Sequence, residues 1–122
     1  HVLEPLSGYM LLAKKMWENP TEYCEGWNFG PEQESVLTVW EVASAIIKNF
    51  GVGELRDASD LNAPHEANLL MLNINKVKRR LGWHPRLNAM QSIALTSDWY
   101  KRYKTVNVYD LCTEEIQKFL KK

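Results

Sequence analysis

The sequence lacks the features that mark several large classes of protein. Its 15 basic residues balance 15 acidic ones, so no net field draws it to nucleic acid or to an anionic membrane. The two cysteines, Cys24 and Cys112, lie too far apart for a CxxC pair or a disulfide-stapled scaffold. No apolar run approaches the roughly 18 residues that a membrane helix needs. We therefore expect a cytoplasmic protein with free thiols, no nucleic-acid partner and no membrane association.

The sequence also has little that could form a catalytic or metal centre. Its histidines, His1, His65 and His84, are scattered, and neither they nor the cysteines have the close spacing of a zinc site. Gly51-Val52-Gly53 begins like a dinucleotide loop, but position 56 is Arg56 instead of glycine, and the pair follows a predicted helix. We expect no catalytic, metal-binding or cofactor-binding residue within this chain.

Tyr100 and Lys104 have a Y-x-x-x-K spacing, which can set a lysine one helical turn from a catalytic tyrosine and lower the pKa of its phenol. Pairs at this spacing are common on helices. We therefore interpret Tyr100 as a core or interface aromatic beside a solvated lysine.

Most of the chain has the periodicity of helices. Its 122 residues with 45% hydrophobic content allow one compact domain spanning 1–122. Thr38 and Glu41 form a capping box, and Gly51 supplies a left-handed C-terminal position, which together predict one well-bounded helix. Apolar spacing and capping signals predict further helices over Pro5–Asn19, from Asn73 to Gly82, from Asn88 to Lys104, and over the C-terminal segment from Val108 to Phe119.

Three short segments have the composition of strands. Alternating aromatics between glycines predict one over Gly26–Gly30, and an apolar run predicts another over Leu69–Leu72. A third is expected around Glu54 to Arg56. The predicted fold class is therefore α/β, dominated by helix, with a few short strands.

A polar patch precedes the apolar run at Leu69. His65, Glu66 and Asn68 lie close together there, where side chains at the end of a strand can point into a cleft. A solvated loop of the same composition is the alternative interpretation.

Four segments, in this order, resemble the C-terminal region of extended short-chain dehydrogenase/reductases that act on nucleotide sugars. The segments are His1-Val2-Leu3-Glu4-Pro5-Leu6-Ser7-Gly8-Tyr9, Trp27-Asn28-Phe29-Gly30-Pro31, Pro64-His65-Glu66-Ala67 with Leu70-Met71-Leu72-Asn73, and Leu81-Gly82-Trp83-His84-Pro85. The last is shared widely in that superfamily. The others resemble the CDP-glucose 4,6-dehydratases in particular, and the resemblance spans nearly the whole chain.

The resemblance implies a function for a longer enzyme. In that family, tightly held NAD oxidises the sugar at C4, water leaves across C5 and C6, and the hydride returns to C6, giving a 4-keto-6-deoxy nucleotide sugar. The family's cofactor loop and its catalytic Tyr and Lys lie upstream of the segments seen here. The chain is thus expected to be a C-terminal substrate-binding domain without its N-terminal Rossmann domain and without bound NAD, in a homo-oligomer.

The resemblance also suggests which residues contact the nucleotide sugar. We predict His65, Glu66 and Asn68 as substrate contacts, and Arg56 as a phosphate ligand because a guanidinium matches phosphate oxygens. The strand near Trp27 is expected to join the edge of the cofactor domain's sheet. Relatives often carry Asp at the position of Asn73, and His or Arg at the position of Asn68. These differences leave the identity of the substrate's nucleobase open.

Two alternatives stay open. One keeps the fold but changes the reaction to epimerisation or decarboxylation of a nucleotide sugar. The other is a noncatalytic helical module that docks on a partner through aromatic residues, since these are enriched at interfaces as well as in cores. The candidate docking residues are Trp17, Trp40, Trp99 and Tyr103.

Overall fold

A computed structural model describes residues 1–59 and 70–122, and helices account for most of them. The α-helices are, in chain order, α1 (Leu3–Glu18), α2 (Pro20–Tyr23), α3 (Val39–Phe50), α4 (Asn75–Leu81), α5 (Ala89–Arg102) and α6 (Val108–Leu120). A 3₁₀ turn over Gln33–Ser35 precedes α3. Within the described ranges, no helix is both long and apolar enough to cross a bilayer.

The predicted capping signals are confirmed at the starts of α3 and α5 and at the end of α3, whereas α5 ends at Arg102, two residues before the predicted Lys104. The Thr38 hydroxyl accepts from the Glu41 backbone N–H at 3.2 Å, and the Glu41 carboxylate accepts from the Thr38 N–H at 2.7 Å. Asn88 and Gln91 form the same reciprocal pair at the start of α5. Gly51 ends α3 with a φ of 78°, a left-handed value that favours glycine.

The predicted short strands are not found among the described residues. The segments Gly26–Gly30, Glu54–Arg56 and 70–72 are irregular, and Leu69 lies outside the described residues. A strand needs a neighbour to accept and donate along its backbone, and the described residues supply none. The fold class is therefore helical where it is described, and the strand prediction is wrong there.

Side chains, instead of a strand ladder, hold the segment around Trp27. The indole N–H of Trp27 donates to the Tyr23 carbonyl at 3.0 Å, and the two rings stack with centroids 6.1 Å apart. On α4, the Lys76 ammonium lies 4.5 Å from the centre of the Trp27 ring and 2.7 Å from the Glu25 carboxylate. Arg80 also pairs with Glu25. The segment is thus attached to α4 through aromatic and charged contacts.

The core lies where α4 meets α1. Four buried residues form its centre: Ile74, Val77, Leu81 and Trp83. Leu11 and Leu12 of α1 pack against it, together with Tyr23 at the end of α2 and with Trp27 and Phe29 in the segment that follows. A separate contact runs between α3 and α5, and α6 packs on α5.

Gly8 lets an aromatic ring approach α1 closely. A Cβ atom built on Gly8 would lie 2.2 Å from a ring carbon of Phe29, far inside van der Waals contact. The Phe29 ring has little freedom to move away because it makes edge contacts with Tyr9 at 5.3 Å and with Trp83 at 5.2 Å between centroids. The absence of a side chain at Gly8 therefore positions Phe29 between the two other rings.

We predict that Gly8→Ala destabilises the protein despite the better helix propensity of alanine. The added methyl group would displace Phe29 from its aromatic contacts, at a cost of about 2 kcal/mol. Gly26→Ala is the matched control, because nothing lies within 4 Å of its added Cβ, and it is expected to change stability by less than about 0.5 kcal/mol. Urea unfolding of both variants checks this, and equal midpoints would contradict it.

Candidate functional site

A cleft of about 840 Å³ opens between the start of α1, the segment that leads into α3, and the start of α5. Its size is in the range of pockets that take drug-sized ligands. The described residues that line it are His1, Val2, Glu4, Pro5, Phe29, Gly30, Pro31, Ser35, Val36, Leu37, Thr38, Val42, Leu70, Met71, Trp83, Pro85, Leu87, Ala89, Ser92 and Ile93.

A buried carboxylate joins the first turn of α1 to the loop before α5 beside this cleft. Glu4 is 8% exposed, and its oxygens accept from the backbone N–H of Arg86 at 2.9 and 3.1 Å and from that of Leu87 at 2.6 Å. Bonds from backbone N–H groups to an ionised carboxylate are short and strong. Glu4 therefore fixes the loop before α5 against the first turn of α1.

A second set of contacts reinforces the attachment of α1 to this loop. The Ser7 hydroxyl donates to the Glu4 carbonyl at 2.7 Å and accepts from the indole N–H of Trp83 at 2.9 Å. Trp83 is 5% exposed, so its indole N–H would be buried without a partner if Ser7 were absent. The same ring meets Phe29 edge to face, which brings three distant parts of the sequence to one wall of the cleft.

The Phe29 segment also contacts the segment that follows residue 69. A Cβ built on Gly30 would lie 3.4 Å from Leu72 and 3.5 Å from Ile74. The side-chain amide of Asn28 donates to the Asn73 carbonyl at 3.5 Å. Parts of all four sequence segments named above therefore meet around this cleft.

The described lining is mainly apolar, with a few hydroxyl groups. Thr38 is committed to the start of α3, whereas Ser35 and Ser92 also lie at the cleft. No Lys or Arg is among the described residues that line it. This part of the cleft suits flat rings and sugar hydroxyls, and it brings no permanent positive charge for phosphate groups.

The structure places only one of the predicted substrate contacts. Arg56 lies in the irregular segment after α3, where its guanidinium pairs with Glu54 at 3.0 Å and its side chain is 85% exposed. It is not among the residues that line the cleft. His65, Glu66 and Asn68 lie outside the described residues, so all four roles stay predictions.

The other candidate sites have ordinary structural roles in the described chain. Gly51 is the end of α3, and no strand precedes it. Tyr100 contacts the rings of Trp99 and Tyr103, and the Lys104 ammonium lies 5.5 Å from the centre of the Tyr103 ring. No group of three or more His, Cys, Asp or Glu residues suited to a metal occurs in residues 1–59 and 70–122.

The four aromatics proposed for docking differ in their surroundings. Trp99 and Tyr103 stack on each other, with centroids 5.0 Å apart. Trp17 is 90% exposed near the end of α1, and Trp40 is 55% exposed at the start of α3. Two of the four are therefore available to solvent, and two are paired.

Comparison with known proteins adds to this geometry. No protein-family model matches the chain. The chain is similar to CDP-glucose 4,6-dehydratase of Salmonella typhimurium, with 38% identity over 107 residues. It resembles part of a nucleotide-sugar dehydratase. The match covers 84% of this chain and 29% of that enzyme, so the chain spans less than a third of its relative's length.

Sequence reasoning missed two acids that are buried in the described structure. Glu4 precedes the predicted helix Pro5–Asn19, and Glu115 was not singled out in the C-terminal helix, yet they are only 8% and 5% exposed. The signal for Glu4 was its place directly before Pro5 in a segment that also carries Ser7 and Gly8. The signal for Glu115 was its spacing of four residues from both Leu111 and Phe119, which places it on the apolar face of the C-terminal helix.

We predict that Glu4→Ala costs about 3 kcal/mol of stability, because the buried N–H of Leu87 and that of Arg86 lose their acceptor. Glu4→Gln should cost less, since one amide oxygen remains to accept. Glu18→Gln, at an exposed position on the same helix, is the control and should change stability by less than about 0.5 kcal/mol. Thermal unfolding gives the order, and a Glu4→Ala variant as stable as Glu18→Gln would refute the role of Glu4.

Proposed function

We propose that this chain forms the nucleotide-sugar-binding part of an enzyme like CDP-glucose 4,6-dehydratase. The similarity to the Salmonella enzyme, over most of this chain, is the observation that carries the proposal. On this proposal the longer protein removes water from a nucleotide sugar, and the present chain supplies one wall of the substrate site.

The geometry of the cleft supports this role. Segments that resemble the dehydratases converge there, and the Glu4 and Ser7 contacts hold them in place. A wall braced in this way can hold a ligand without paying to order itself when the ligand binds. The apolar lining around Phe29 and Val42 would contact flat or ring-shaped parts of the substrate.

The diphosphate needs charge that the described lining does not contain. Arg56 points to solvent beside Glu54, and it would have to leave this pair to reach a phosphate. His65, Glu66 and Asn68 remain our proposed contacts because they directly precede Leu70 and Met71, which line the cleft. The rest of a longer protein would supply the remaining charge.

NAD belongs to the proposal for the whole enzyme only. The described residues do not fit a dinucleotide site, because Gly51 and Gly53 follow a helix and no strand leads into them. We derive no step through NAD from this chain. A cofactor domain elsewhere in a longer protein, and a homo-oligomeric assembly, complete the proposed enzyme.

The reaction can be tested with the longer protein that contains this chain. Incubated with NAD and CDP-glucose, it should give a product lighter than the substrate by one water in mass spectrometry. An unchanged mass with altered chromatographic retention would indicate an epimerase, and loss of carbon dioxide from a nucleotide uronic acid would indicate a decarboxylase. Absence of all three conversions would defeat the enzyme proposal and favour a docking module. The exposed side chain of Trp17 would support such a module.

The cleft itself can be tested by filling it. Ser92→Trp adds a large ring at a residue of α5 that lines the cleft, whereas Ala94→Trp adds the same ring at an exposed residue of α5 that does not. We predict that Ser92→Trp raises the KM for CDP-glucose by about tenfold or more, which corresponds to about 1.4 kcal/mol of binding. Ala94→Trp should leave it nearly unchanged, and equal effects would show that the substrate does not enter this cleft.

A further inference from the structure

Glu115 is a buried acid whose surroundings differ from those of Glu4. Both are nearly inaccessible, but Glu4 accepts from backbone N–H groups, whereas one carboxyl oxygen of Glu115 has no hydrogen-bond partner among the described residues. A buried carboxylate without donors is costly to ionise. Glu115 therefore lacks the hydrogen-bond donors that surround the carboxylate of Glu4.

The imidazole of His1 is the nearest partner of Glu115. Its Nε2 atom lies 3.6 Å from the other Glu115 oxygen, and the two side chains are only 5% and 7% exposed. The Leu3 backbone N–H donates to His1 Nδ1 at 3.3 Å. The proton of a neutral imidazole therefore belongs on Nε2, facing the carboxyl group.

The other charged groups near Glu115 are already paired. Arg102 of α5 bonds Asp98 at 3.0 Å and Glu114 at 2.7 Å, and Lys118 bonds Glu114 as well. The titratable and charged groups that face Glu115 are thus the His1 imidazole, Asp98 and Arg102 from α5, and Glu114 and Lys118 from α6. Cys112 and Tyr100 line the same apolar cavity of about 470 Å³.

We propose that His1 and Glu115 form a proton-dependent latch, which holds α6 against the start of α1 and loosens as the pH rises. With one shared proton the pair is neutral overall, either as acid and imidazole or as carboxylate and imidazolium. When that proton leaves, an uncompensated carboxylate stays buried between the helices. It is then more favourable for α6 to separate from the start of α1 and expose this carboxylate to water than to stay packed.

The pKa of Glu115 supports the direction of this response. Burial raises it above its ordinary value of 4.5, and the charge of Asp98 adds to the effect. A group with a raised folded-state pKa contributes stability that is fully present below the unfolded value. That stability is lost as the pH rises from 4.5 through the folded-state pKa of Glu115.

The test compares the pH dependence of unfolding in the wild type, Glu115→Gln and Glu114→Gln. The wild-type Tm should fall relative to that of Glu115→Gln as the pH rises above 4.5. Glu114→Gln is the matched control: Arg102 and Lys118 lower the pKa of the Glu114 carboxyl to about 2, so Glu114 does not titrate above pH 4.5 and the profile of this variant there should run parallel to that of the wild type. A Glu115→Gln profile parallel to that of the wild type would overturn the latch.

Two further measurements separate a latch from a general loss of stability. Backbone amides of α6 should exchange several times faster in the wild type than in Glu115→Gln at the alkaline end, because the buried carboxylate favours local opening of this helix. Introduced alone, His1→Gln should move the fall in Tm to lower pH. Introduced together with Glu115→Gln, it should leave the pH profile of that variant unchanged.

Discussion

The carboxylate of Glu4 is the contact on which the described fold depends most. It joins the first turn of α1 to backbone N–H groups more than 80 residues later in the sequence, at Arg86 and Leu87. Backbone groups in an irregular loop have no ladder to satisfy them, so a side chain must do so where the loop is buried. The loop before α5 is held in this way, and with it one wall of the cleft.

The aromatic contacts beside Glu4 depend on the same attachment of α1 to the loop before α5. Ser7 bonds both the Glu4 carbonyl and the indole of Trp83, and Gly8 leaves room for Phe29 against that indole. One short stretch of α1 thus supplies the Glu4 carboxylate as an acceptor, the Ser7 hydroxyl, and at Gly8 the space that the Phe29 ring occupies. This accounts physically for why these residues occur together in a segment that resembles nucleotide-sugar dehydratases.

Local rules predicted the helices of this chain well. The capping boxes at Thr38 and Asn88 and the glycine at Gly51 act within a few residues, so the sequence around each position contains the whole signal. The helix Pro20–Tyr23 was missed, because Pro20 suits a first helical turn as well as it ends the preceding helix.

Long-range properties were beyond the same rules. Strand composition at Gly26–Gly30 and at 70–72 could not predict whether a neighbouring strand exists, and Leu70 is 93% exposed in the described structure. The roles of Glu4 and Glu115 depend on partners far away in sequence. The described lining of the cleft also contains no Lys or Arg that could bind a diphosphate, and no local sequence pattern indicated this.

Amide hydrogen exchange of Leu87 tests the central role of Glu4 most directly. Its N–H lies 2.6 Å from the Glu4 carboxylate in a loop without secondary structure. The account predicts that this amide exchanges as slowly as the buried amides of α4, because it opens only when α1 and the loop separate. Exchange as fast as that of the exposed loop residue Val52 would contradict it.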